Sequence, residues 1–491
     1  MTAIWHDLET SVAATASSTD GRRFTFQCSL HGLDLQPGSY ALIGDAHLGQ
    51  VHAVDEAWIE GPELAAAVPD ASDSGDARIA LARGHGVVVD GATRPFRDLA
   101  IQRASEASVA SWLERARPAR ASLDVGELLL GPGVRFSLDA GGFDRHTFLC
   151  GQSGSGKTYA LGTILEQLLV ETTIRIVVLD PNSDFVRLGQ VREGADAAAA
   201  AAYRRAASGI AVRRAGSAGP ERLHVRFTDC DAAERAAVLQ LDPIRDRDEF
   251  GAMLDTLEAG VGNTGESVQS IVDRLLGASR SDLQALGARI RNLGIPDWSV
   301  WSLGDSESLQ DLVGPGGPRA LVVDLGSLDT PAEMAIAAES VLAALWRNRA
   351  AHEPVLVVID EAHNVCPAQP GDPVSALATE HAIRFAAEGR KFGLYLLVST
   401  QRPQRVHELV VSQCDNLALM RMNSTGDLDY VAHLLSFAPA ALLERARSFG
   451  LGESLVVGKI ASHPALVRFG PRIAEEGGGD VPRTWAQEQS G

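Results

Sequence analysis

A chain of 491 residues with 45% hydrophobic and 22% charged side chains exceeds what one ordinary core organises, so two or three domains are expected. Its 44 basic and 63 acidic residues give a net charge of −19, which excludes a surface coated all over with nucleic acid but permits a local basic channel. No apolar run approaches the roughly 18 residues that span a bilayer, so no membrane is expected as a partner.

The start, MTAIWHDLETSV, lacks the basic end and apolar stretch of a secretory signal. Five scattered cysteines read as free thiols of a reducing, cytoplasmic compartment. Short runs rich in β-formers then follow, bounded by Gly, Pro or Asp: RFTFQCSL (23–30), GSYALIGD (38–45), GQVHAVDEAWI (49–59) and GVVVDG (86–91). Several strands within about 100 residues predict a small barrel or sandwich. The segment ASEASVASWLERARPARASLD reads as a helix and a connector.

From about Gly131 apolar strands alternate with helical patterns, which predicts a parallel sheet with crossover helices. The candidate strands are HTFLCG, IRIVVLD (174–180), RALVVDL (319–325), VLVVID (355–360), FGLYLLVST (392–400) and NLALM (416–420). An insertion over 187–295 interrupts them. It opens on an alanine run, 197–202, that is either a weak helix or a flexible surface piece, and its later part is helical in pattern. A Gly-rich polar tail closes the chain.

Gly151-Gln-Ser153-Gly154-Ser155-Gly156-Lys157-Thr158 fits G-x-x-x-x-G-K-[ST] between an apolar strand and a helix with Leu161, Ile164, Leu165, Leu168 and Leu169 on one face. Glycines let successive N–H groups point at phosphate oxygens, and the helix start adds its positive end. Lys157 bridges β- and γ-phosphates in this reading, and Thr158 gives a hydroxyl to Mg²⁺; the bland alternative is a glycine turn with a surface lysine.

Asp360-Glu361 closes VLVVIDEAH. Asp360 is placed to hold Mg²⁺ through its water shell and Glu361 to deprotonate water, which marks hydrolysis rather than transfer to a bound acceptor; an acidic N-cap is the alternative. Asp180 stands at the mouth of its strand with Asp184 close behind, where α/β ligand sites gather; Asp184 is equally a solvated turn carboxylate. Gln401, after Ser399-Thr400, is a candidate γ-phosphate sensor. Arg390 and Lys391 sit at a helix end, where cations complement the dipole or reach a phosphate.

RHTFLCGQSGSGKT, VLDPNSDF, VVIDEAHN, EGRKFGLYLLVSTQRP and LGESLVVG resemble, in order and approximate spacing, the HerA family of hexameric DNA-translocating ATPases within the HerA–FtsK group. GSYALIG, GQV, GHGVVV and PFRDLAI are similar to that family's N-terminal β-barrel. The resemblance implies an α/β chain: a barrel and connector over 1–125, a RecA-like P-loop ATPase core with a mostly parallel sheet over 126–460, and a C-terminal extension over 461–491.

It also implies ATP and Mg²⁺, a hexamer around duplex DNA, and a partner nuclease or effector docked on the barrel in DNA-end processing or antiviral defence. Lys157 and Thr158 become the phosphate and metal contacts, Asp360 the Walker B aspartate, Glu361 the catalytic glutamate and Gln401 the sensor. Arg390 and Arg145 become arginines of the hydrolysis site, with the one acting in trans left open. Asp180-Pro-Asn-Ser-Asp184-Phe185 departs from the family's Asp-x-His-Gly-Glu-Tyr-like pattern, so Asp184 stands where a longer glutamate is usual. The alternatives are an ATP-dependent assembly scaffold for a defence effector and a conjugation-type DNA pump.

Overall fold

In Arg23–Cys28 every second residue is apolar, and Phe24, Phe26 and Cys28 are the ones buried, the period of a strand with one face inward. This is β2 of a closed antiparallel barrel seen in the computed structural model, which describes residues 12–32, 34–60, 78–91, 94–118, 121–259, 266–302 and 307–478. The expectations for residues 1–11 and for the tail past 478 lie outside the described residues.

The barrel strands are β1 (Thr15–Ser18), β2, β3 (Tyr40–Ile43), β4 (His47–Glu60), β5 (Arg78–Val88) and β6 (Phe96–Arg103), closed in the order β1-β2-β5-β4-β3-β6. Phe24 and Phe26 fill its interior with Ile43, Val51 and Ile101. Gly86 makes room for them: a Cβ there would stand 2.1 Å from the Gln50 carbonyl oxygen and 2.6 Å from the Phe24 ring. The barrel is therefore as expected, although β1 carries too few apolar residues to announce itself, β6 showed only through PFRDLAI, and β5 begins eight residues before its expected start.

The chain divides into two compact units. One comprises residues 1–142, 154–156 and 416–470. Besides the barrel it holds an antiparallel group ordered β15-β16-β17-β7-β8, from β7 (Ser122–Leu128), β8 (Arg135–Asp139), β15 (Asn416–Met420), β16 (Glu453–Gly458) and β17 (Ala465–Phe469).

The other unit comprises 143–153, 157–415 and 471–491. Its sheet runs β11-β12-β10-β13-β14-β9, every pair parallel, from β9 (Thr147–Cys150), β10 (Arg175–Asp180), β11 (Ile210–Arg214), β12 (Ala320–Asp324), β13 (Val355–Ile359) and β14 (Leu394–Thr400). β9, β10, β12 and β13 are buried at every residue, as strands covered on both faces must be. The strand that feeds the glycine loop, β9, is separated from β13 by β14, so the ends of all three converge on one place.

The alanine run resolves into a helix, Ala197–Ala207, because the Asp196 side chain accepts from the N–H groups of Ala198 and Ala199 at its start. Helices Ala232–Val238, Arg247–Ala259, Val268–Leu276 and Ser281–Asn292 fill the rest of the insertion, and β11 within it extends the sheet edge.

Candidate active site

The loop from Gly151 turns between β9 and the helix Lys157–Glu171, whose Leu161, Ile164, Leu165, Leu168 and Leu169 are all buried. Gly154 and Gly156 take φ of +70° and +90°, a region side chains avoid, and so curl the main chain as a phosphate cradle requires. The crest of the loop is braced from its own unit: Arg421 Nη2 donates to the Gly154 carbonyl at 2.9 Å and Gly452 N–H donates to that of Ser155 at 2.9 Å.

Lys157 is buried, and its Nζ donates to Asp360 Oδ1 at 2.7 Å and Ser399 Oγ at 3.0 Å. It also stands 3.1 Å from Glu361 Oε1 as an ion pair without hydrogen-bond alignment. Burial works to lower its pKa, and the Asp360 and Glu361 carboxylates outweigh that and hold it above the usual range. Asp360 keeps a second oxygen, Oδ2, buried with no hydrogen-bond partner.

Glu361 adopts φ 40°, ψ 53°, a left-handed conformation costly for a residue with a Cβ. Its Oε2 accepts from the Gln401 main-chain N–H at 3.2 Å and lies 3.3 Å from His363 Nδ1, which is also 3.2 Å from Thr400 Oγ1. His363 went unremarked in the sequence, although it stands two residues after Glu361. Burial pushes its pKa down, so at neutral pH its ring is uncharged.

Asp180 is occupied differently from expectation. Its carboxylate accepts from the main-chain N–H groups of Asn182, Asp184 and Phe185, shaping the turn rather than facing outward, and burial pushes its pKa up to about 7. Asp184 is the residue that reaches the loop, accepting from the Thr158 hydroxyl at 3.4 Å.

A segment invisible to sequence reasoning supports this region. Arg472, fully buried, donates through Nε to Glu166 Oε1 at 2.8 Å, and the Ile473 and Ala474 N–H groups bind the same carboxylate. The one available signal was Glu166 itself, an acid on the apolar face of the loop helix. Past it, the Gly477 N–H donates to the Asp184 carbonyl at 2.9 Å.

Lys157, Thr158, Asp360, Glu361 and Gln401 thus gather at the carboxyl ends of parallel strands. Arg145 and Arg390 do not join them. Arg145 precedes β9 and Arg390 precedes β14, at the amino ends of neighbouring strands, and both turn to Asp415. The seven residues of β14 alone put about 20 Å between Arg390 and Gln401.

Mg²⁺ fits the carboxyl-end groups: a hydroxyl, an orphaned carboxylate oxygen and Asp184 are hard oxygen donors. Among the described residues no group of three His, Cys, Asp or Glu forms a self-sufficient metal cage, which suits an ion held jointly with phosphates.

A glycine loop entering a helix, beside a parallel sheet with an acid pair on a strand two places away, defines a RecA-like P-loop ATPase. Residues 123–338 match the family described as "Helicase HerA, central domain". The DNA double-strand break repair helicase HerA of Pyrococcus furiosus is 24% identical over 415 residues, covering 71% of this chain and 69% of that protein. The protein of the same name from Sulfurisphaera tokodaii is 32% identical over 156 residues, 30% of this chain and 31% of its own. Over these stretches the chain is similar to HerA-family proteins. VirB4 of Thermoanaerobacter pseudethanolicus, a solved structure, shares the fold at TM-score 0.50 and 13% identity, over 75% of this chain and 100% of that one.

Proposed function

We propose that this chain is an ATP-hydrolysing DNA translocase that works as a ring of copies, six as the family resemblance implies. The observation that carries this reading is the division of functional groups between two edges of one parallel sheet. The phosphate loop, acid pair and Gln401 stand at the carboxyl edge, and Arg145 and Arg390 at the amino edge. Neither arginine reaches phosphates bound to its own loop, so both act on a nucleotide held by the next copy, and hydrolysis requires an oligomer.

The N–H groups of Gly151 and Ser153–Gly156 cradle the phosphates. Lys157 gives up Asp360 for β- and γ-oxygens; Thr158 and Asp360 would hold Mg²⁺, which would supply neutralisation of the phosphate charge. Glu361 takes the proton of the attacking water, and Gln401 meets the γ-phosphate. Asp180 keeps the Asp184 turn in place.

Two relatives named as DNA double-strand break repair helicases support DNA as the translocated polymer. With a net charge of −19, contacts to it are confined to a local channel and directed at phosphates. DNA-end processing or defence with a nuclease or effector docked on the barrel completes the proposal. Among the described residues no helix is long and apolar enough to cross a membrane, and five buried cysteines, none in a disulfide, suit the cytoplasm.

The test is steady-state ATP hydrolysis with and without linear duplex DNA, beside Lys157→Ala and Glu361→Gln. Strong DNA stimulation abolished by both substitutions supports the motor. Hydrolysis indifferent to DNA but raised by a partner protein replaces it with the scaffold reading.

A further inference from the structure

Arg145 and Arg390 come from segments far apart in sequence, yet both guanidinium groups turn to one oxygen. Arg390 Nη1 donates to Asp415 Oδ2 at 2.8 Å, and Arg145 Nε stands 3.7 Å from the same atom. Two cations held side by side repel each other, and an anion placed between them reverses the sign of the interaction.

The backbone around this contact is fixed independently. The Asp415 N–H donates to the His146 carbonyl at 3.0 Å, and His146 Nδ1 accepts from the Leu396 N–H at 3.0 Å. Burial, then the Arg390 charge, push the His146 pKa down to about 4, so its ring stays neutral and able to accept. The segment bearing Arg145, the strand that follows Arg390 and the residue between their side chains are therefore one hydrogen-bonded assembly.

The side chains themselves remain open to solvent: Arg145 and Arg390 are each 38% exposed and Asp415 is 48% exposed. Exposed ion pairs add little to stability, so holding the fold together is a poor account of this one. A guanidinium has five N–H donors, and the Asp415 bond engages one edge of Arg390. The rest of the fork belongs to a side chain that is 38% exposed.

We propose that Asp415 is a positioning residue that sets Arg145 and Arg390 as a single two-pronged donor for the terminal phosphates of a nucleotide bound to a second copy of the chain. This rests on the ATP-hydrolysis reading above. Asp415 touches no substrate and acts only through the two arginines, which it keeps close against their own repulsion.

The test compares kcat and KM for ATP in the full-length protein with Asp415→Asn, Asp415→Glu, Arg145→Ala and Arg390→Ala, and with Asp415→Asn in each single-arginine background. Asp415→Asn is expected to lower kcat about 10- to 100-fold, as a small misplacement of a catalytic group does, with KM and Tm little changed. Asp415→Glu restores part of the loss. With one arginine already removed there is no pair to align, so Asp415→Asn then costs at most about twofold.

A wild-type kcat in Asp415→Asn overturns the proposal, and so does an undiminished loss in both arginine backgrounds, which marks a structural role. Normal Lys157-dependent hydrolysis with Arg145→Ala and Arg390→Ala both silent in effect overturns it while sparing the ATPase reading. Absence of hydrolysis by the wild type overturns both.

Discussion

Lys157 Nζ lies 2.7 Å from Asp360 Oδ1, and both side chains are shut away from solvent, at 3% and 0% exposure. The charge proposed to meet phosphate is thus held by the carboxylate proposed to meet metal. Removing the lysine leaves Asp360 and Glu361 as adjacent buried anions. Lys157→Ala is expected to destabilise the nucleotide-free protein by about 3–5 kcal/mol as well as abolish hydrolysis. Adding Asp360→Asn recovers part of that stability and none of the activity, measured by denaturant midpoints beside turnover.

Glu361 combines the proton-accepting role proposed for it with a left-handed backbone. Glu361→Gln keeps the shape and is expected to lower kcat about 10²- to 10⁴-fold with nucleotide binding intact. Glu361→Gly, equally inactive, relieves backbone strain and is expected to be about 1 kcal/mol more stable than Glu361→Ala. Equal melting temperatures for the Gly and Ala variants would contradict the strain.

His363 restrains the same carboxylate from its other side. With burial lowering its pKa, the ring is expected to orient Glu361 rather than to transfer a proton. His363→Ala is expected to reduce kcat about tenfold, with KM retained and no new ionisation in the pH–rate profile between pH 6 and 8. A lost ionisation on mutation would assign it a proton-transfer role instead.

Within the barrel-containing unit, His463 is buried against Tyr40, Trp112 and Phe136 and hydrogen-bonds Tyr40 and Ser462. Burial pushes its pKa down from 6.5 to about 3. The unfolded chain therefore takes up this proton as pH falls below 6.5 while the folded chain does not. Stability contributed by the neutral ring is present above that pH and lost progressively towards pH 3. His463→Gln should flatten the stability–pH curve over this window by up to about 1.4 kcal/mol per pH unit, read from unfolding midpoints at pH 7.5, 6.5 and 5.5.

Glu166 and Arg472 form a pair with 1% and 0% exposure. Glu166→Ala strands a buried guanidinium and releases the Ile473 and Ala474 N–H groups, for an expected loss of about 3–5 kcal/mol. Hydrogen exchange should show the damage centred on Lys157–Glu171 and 471–474; uniform loss across the sheet would argue against a local anchor.

The phosphate loop and acid pair were legible in the sequence because their chemistry demands particular residues at fixed spacing, and buried parallel strands such as Val355–Ile359 betray themselves as unbroken apolar runs. β7, β11 and β17 escaped because their pairing depends on neighbours far along the chain. The meeting of Arg145, Arg390 and Asp415 escaped for the same reason. The residues are individually unremarkable, and only the placement of β9 beside β14 brings the two arginines to one carboxylate. Arg472 gave no signal at all, since a buried arginine is defined by its partner.

The contact of 471–474 with Glu166 has a consequence for how the molecule is made. The helix that carries Lys157 is synthesised early, but its buried acid has no counterion until some 300 residues more have left the ribosome, about 15–60 s at usual elongation rates. Throughout that interval the nascent ATPase unit carries an uncompensated anion in the face that must pack. Emergence of residues 471–474, rather than emergence of the nucleotide motifs, is then the event that licenses this unit to close, and truncation before Arg472 should yield a chain that depends on chaperones to stay soluble.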